Sequence, residues 1–135
     1  MNRDLPSSLL VDTLSGVHFV AAAVVERVLA PAAALQLHVA RIDLAQCQGK
    51  QDLLGRIASA LDVPEPFGRN WDALADALGD LSWLPGEGVV LVFDHAADLD
   101  ADAETFPTLL EILTGIASCA ANRRWPWHAL IVLGE

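Results

Sequence analysis

Two kinds of hydrophobic pattern alternate along this chain. Residues 89–93 and 129–133 are continuous apolar runs, and residues 37–44 form a more broken one. Runs of this length predict strands, and an unbroken run is what a strand covered on both faces requires. Between them, apolar positions recur at steps of three and four, which predicts helices over about 51–61, 70–78 and 104–120. Pro107 is tolerated in the last of these because it falls in the first turn. Upstream, residues 16–20 predict a further strand, followed by a helix from about Ala22 that Pro31 interrupts or kinks. Strands alternating with helices predict an α/β fold with a three- to four-stranded, mostly parallel sheet packed with helices. The chain reads as a single small domain. Residues 1–36 form an N-terminal extension whose strand and helix pack on the body at 37–135.

The segment at 70–78 carries more than a core pattern. Trp71, Leu74, Ala75, Leu78 and Leu81 mark the apolar face, Asn70 is placed to act as the N-cap, and Gly79 is placed to end the helix in a left-handed conformation. Its polar face holds Asp72, Asp76 and Asp80, one every four residues. Side chains at that spacing face the same way, and like charges so placed destabilise a helix by about 0.2–0.5 kcal/mol per pair. Asp72 is compensated by the helix dipole because it lies in the first turn; Asp76 and Asp80 are not. Two readings stay open at this level, a solvated acidic face and a face that binds something positive.

Charge sharpens the second reading. From Asn70 to Asn122 there are ten Asp and Glu residues and no Lys or Arg, and the chain as a whole has a formal net charge of −10. A field of that sign repels nucleic acid and anionic membrane and draws in basic proteins. Yet hydrophobic residues make up 53% and charged ones only 19% of the 135 residues, the composition of an ordered globular domain. Cys47 and Cys119 lack metal-ligand spacing and read as free thiols of a reducing compartment. The apolar stretch at 17–25 is too short to span a membrane, and the acidic N-terminal residues do not suit a signal peptide. The expected location is the cytoplasm.

The residues from Leu61 to Leu78, LDVPEPFGRNWDALADAL, resemble the central motif of the barstar-like ribonuclease inhibitors. In that family a Pro-Glu-aromatic-Gly turn leads into an Asn-x-Asp-Ala-Leu-x-Asp helix. A strand and helix precede it, and a helix and strand follow. The resemblance covers about residues 37–133 and implies a barstar-like fold. It also implies a protein that plugs the active site of a small basic ribonuclease, with carboxylates where substrate phosphates would lie. On this resemblance Asp72 and Asp76 match the two acidic positions and pair with the enzyme's cationic groups, while Phe67 and Gly68 of the turn are secondary contacts. Asp80 has no counterpart in the motif and joins the candidate surface on spacing and charge alone. The chain departs from the family pattern at Pro66 and Ala75, where aromatic residues are expected. The implied partner is a basic, extracellular-type ribonuclease bound one to one by a monomer. The alternative is an acidic binding module for a different basic protein.

Other constellations are weaker. Asp98, Asp100 and Asp102 open like a calcium loop, but Ala103 and Leu109 stand where Gly and Glu are needed, so a solvated loop is the preferred reading. Asp94 and His95 at a strand end suggest a third possibility, a small metal-dependent hydrolase that also uses Asp98. They lack a placed nucleophile or second His, and a surface turn is preferred. Trp71, Trp83, Trp125 and Trp127 read as core anchors. With no phosphate-cradling glycine loop and no nucleophile elbow, an enzyme, a metal and a cofactor are not expected.

Overall fold

The apolar runs become the two central strands of one sheet. The computed structural model describes residues 16–64, 70–101, 104–120 and 125–134. In chain order these form β1 (Gly16–Ala21), α1 (Ala22–Ala34), β2 (His38–Asp43), α2 (Gly49–Leu61), α3 (Trp71–Asp80), β3 (Val89–Asp94), a 3-10 turn (Ala96–Ala101), α4 (Thr105–Ala120) and β4 (Trp127–Gly134). The strands lie in the order β1-β4-β3-β2, and every neighbouring pair is parallel. The expected α/β architecture is therefore present, with four strands and no antiparallel pair among the described residues.

Strand order decides which face each helix covers. Passing from β2 to β3 to β4 moves across the sheet in one direction, whereas β1 to β2 crosses it in the opposite one. Right-handed crossovers then put α2, α3 and α4 on one face and α1 alone on the other. Packing follows this division. Leu91, Phe93, Ala129 and Ile131 join Leu53, Leu74, Leu78 and Leu113 in the larger core. Val90, Val92, Leu130 and Val132 pack against Val25, Val28 and Ala32 of α1 in the smaller one. Because side chains alternate between faces along a strand, a strand covered on both faces is apolar on both, and residues 89–93 and 129–133 read that way in the sequence, with the buried His128 the polar exception in β4. Pro31 does not break α1, which continues to Ala34.

Both thiols are free. Cys47 is buried, and burial, with Asp52 nearby, pushes its thiol pKa up to about 11. Cys119 is exposed. Alkylation at pH 8 is expected to modify Cys119 promptly and to reach Cys47 only on unfolding, because the thiolate is the reactive form. Mass mapping after a timed iodoacetamide pulse checks this, and comparable rates at the two sites would refute it.

Candidate functional site

Helix α3 forms as its sequence directs at the start and against it at the end. The Asn70 side chain accepts a hydrogen bond from the Ala73 amide at 2.7 Å, as an N-cap should. At the other end, Gly79 does not terminate the helix. The helix runs on to Asp80, and Leu81 takes the left-handed conformation at φ 50° and ψ 22°. A left-handed residue with a Cβ costs about 1–2 kcal/mol. The Leu81 side chain is fully buried, and burying a leucine recovers about 1.5–3 kcal/mol. Gly79 is left inside the helix, where an added Cβ meets nothing within 4 Å. Gly79→Ala is therefore expected to stabilise the protein by about 0.5–1 kcal/mol in a urea melt. A loss of stability would mean that the helix needs a glycine there.

Tertiary contacts fix how α3 stands on the body. Leu74 and Leu78 are fully buried, and the indole N–H of the buried Trp127 donates to the Leu78 carbonyl at 3.0 Å. Trp71 is half-buried, with the Lys50 ammonium of α2 5.9 Å above its ring. The Trp83 indole donates to the Leu61 carbonyl at 2.9 Å and joins the end of α2 to the turn after α3. With one stripe so anchored, helical geometry turns the opposite stripe outward. Asp72, Asp76 and Asp80 are all exposed there. None of the three carboxylates makes a hydrogen bond or ion pair with another described residue. Phe67 and Gly68 lie outside the described residues.

Other carboxylates at the sheet's edge are engaged. At the carboxyl ends of β2 and β3, Arg41 grips Asp94 through Nε at 3.0 Å and Nη2 at 2.9 Å, and it also approaches Glu26 at 3.6 Å. His95, at φ 59°, places Nδ1 2.9 Å from Asp43 Oδ1. Asp43 also accepts the Ala45 amide; that bond and then His95 lower its pKa below the ordinary carboxylate range. Asp98 accepts the Gln46 amide. Asp52 pairs with Arg56 at 2.9 and 3.2 Å and accepts the Gln48 amide, which together hold its pKa down. Arg56 in turn donates to the carbonyls of Asp43 and Ala45. These bonds tie the loops after β2 and β3 together around a cleft of about 510 Å³. Asp94, His95 and Asp98, which suggested a hydrolase, are thus held in separate internal contacts. No group of three or more His, Cys, Asp or Glu side chains suited to a metal occurs among the described residues.

One feature beside α3 was not read from the sequence. Ala75 and Gly79 face Ile112, Gly115, Ile116 and Cys119 of α4 across an open, largely apolar groove of about 410 Å³. The signal was present in the three- and four-residue spacing of Ile112, Gly115, Ile116 and Cys119 along a predicted helix. Only the pairing of α3 with α4 sets small residues opposite one another.

A family model described as Barstar (barnase inhibitor) matches residues 37–131. No curated protein matches the chain. Among solved structures, the Aeropyrum pernix ORC1 protein in complex with DNA superposes with a TM-score of 0.55 at 17% identity. The alignment covers 98% of this chain and 39% of that one, a likeness of fold alone. No helix among the described residues is long and apolar enough to cross a membrane. The family match runs from the start of β2 into β4 and takes in the acidic helix with its Asn-Trp-Asp-Ala-Leu-Ala-Asp motif, so this chain belongs to the barstar family.

Proposed function

We propose that this protein is an intracellular inhibitor of a small basic ribonuclease, acting by occlusion of the active site with α3. The observation that carries this reading is the contrast between two sets of acids. Asp43, Asp52, Asp94 and Asp98 are engaged by the chain's own donors, whereas Asp72, Asp76 and Asp80 are exposed with no partner among the described residues. Three carboxylates held on a helix that is anchored from behind are preorganised to meet cations, so little ordering remains to oppose binding. Charge-assisted hydrogen bonds from Arg are the strong kind, and carboxylates on this face stand in for the phosphates that such an enzyme binds. Asp76, central on the helix, takes the leading role, Asp72 supports it, and Asp80 extends the field. Phe67 and Gly68 enter as secondary contacts through the motif alone. The edge strand β1 and the helix α1 lie ahead of the matched residues and extend the family's unit.

The test is a titration of the purified chain into a panel of small basic microbial ribonucleases, following RNA cleavage at low and high salt. Salt-sensitive, one-to-one inhibition supports the reading, since exposed charges steer association and salt screens them. Association with a basic protein without loss of cleavage would favour the alternative, an acidic binding module. Metal-dependent turnover abolished by a chelator would favour the hydrolase instead.

A further inference from the structure

The groove between α3 and α4 adds a second chemistry to the acidic face. Viewed down α3, Ala75 and Gly79 lie between the buried stripe of Leu74 and Leu78 and the exposed stripe of Asp72 and Asp76. The recess therefore opens directly beside the carboxylates. Its opposite wall is α4, with Ile112 and Ile116 half-buried and the exposed Glu111 at the rim. Gly115 faces open space as Gly79 does, with nothing within 4 Å of an added Cβ. Among the described residues, no side chain fills this volume. No Lys or Arg lies between Asn70 and Asn122, so every charged residue that α3 and α4 bring to the rim is acidic.

We infer that the groove receives one large apolar side chain of a basic protein partner, flanked on that partner by Arg or Lys residues that reach Asp72, Asp76 and Glu111. This inference rests on the inhibitor reading for the partner's basic character. Shape and charge argue for this occupant together. A polar side chain seated against Ile112 and Ile116 would lose water without gaining donors or acceptors, while an apolar one gains from burial. An acidic neighbour would meet three carboxylates of its own sign, whereas a cationic one is steered in by them. An apolar anchor in a pocket ringed by charged contacts is also the arrangement in which interface energy concentrates. At Ala75, where the family motif carries an aromatic, the contact is thus inverted: the partner supplies the large side chain and this chain supplies the recess.

The probe is the tripeptide N-acetyl-Arg-Leu-Arg-amide, titrated into the full chain while amide chemical shifts are followed. Saturable shifts are expected at Ala75, Gly79, Gly115 and Cys119. Affinity is expected to fall by about fivefold or more for the Arg-Ser-Arg peptide, and binding to vanish for Glu-Leu-Glu. Ala75→Leu and, independently, Gly115→Leu fill the recess from this side with residues that favour helix, and each is expected to weaken the Arg-Leu-Arg peptide by about fivefold or more. Equal binding of Arg-Ser-Arg, no shifts at the four groove amides, or unchanged affinity in both filled variants would overturn the inference. A ribonuclease inhibited by the wild type but equally by both filled variants would also overturn it, with inhibition itself intact. Groove binding by the peptide with no ribonuclease inhibited would sustain the groove and remove the inhibitor reading.

Discussion

Replacing Asp76 by alanine is expected to weaken the proposed complex with a ribonuclease by about 2–5 kcal/mol, roughly 30-fold to a few thousand-fold in inhibition constant. That range is the general one for buried interfacial charge pairs, and the barnase complex of this family is among the cases that define it. Its size comes mainly from the partner. Once the carboxylate is gone, a cation of the enzyme is left desolvated without an opposite charge. Stability should move the other way or not at all. Asp76 stands four residues from both Asp72 and Asp80, so its removal relieves two like-charge contacts worth about 0.2–0.5 kcal/mol each. Alanine is also the better helix former. The variant is therefore expected to melt at or slightly above the wild-type temperature while failing to inhibit. A melting temperature lower by many degrees would reveal a structural partner for Asp76 and undo this assignment.

Phe93→Ala is the complementary experiment, with a large effect on folding and none on the contact surface. Phe93 is fully buried in β3, in register with Ile42 on one side and Ile131 on the other. Its ring lies in the core that also holds Leu74 and Leu78, the residues beneath the acidic helix. Truncating a buried phenylalanine costs about 3–5 kcal/mol, because the lost transfer energy is joined by the cavity left behind. Against a typical total of about 5–15 kcal/mol, that is a large share. The midpoint in heat should fall by about 10 °C or more. Inhibition measured well below that midpoint should be retained nearly in full, since no acidic side chain is touched. Loss of inhibition in a folded Phe93→Ala protein would show that the position of α3 depends on this core more tightly than the Trp127 and Leu78 anchors imply.

Much of the fold was written in local periodicity. The four strands and four helices were each legible because a short apolar run, or a repeat at three to four residues, is a property of neighbours in sequence. The spacing of Asp72, Asp76 and Asp80 gave the acidic stripe for the same reason. The end of α3 was misread because a local rule favoured Gly79, while the position was decided by the burial of Leu81, a tertiary effect. Nothing in the periodicity of α1 revealed that it would cover the opposite face alone; that followed from the strand order.

The sequence by itself determined that this is an α/β protein with one acidic helical stripe and a field that favours basic partners. Tertiary structure alone decided which acids remain available. Asp94 meets Arg41 across 53 residues, while Asp43 meets His95 and Asp98 meets the Gln46 amide across 52. Those pairings exist because parallel strands bring their carboxyl ends together, a consequence of the sheet and not of any local pattern. On α3 the same logic runs in reverse. The helix is anchored by its apolar side to residues distant in sequence, and its carboxylates face outward, where no described donor reaches them.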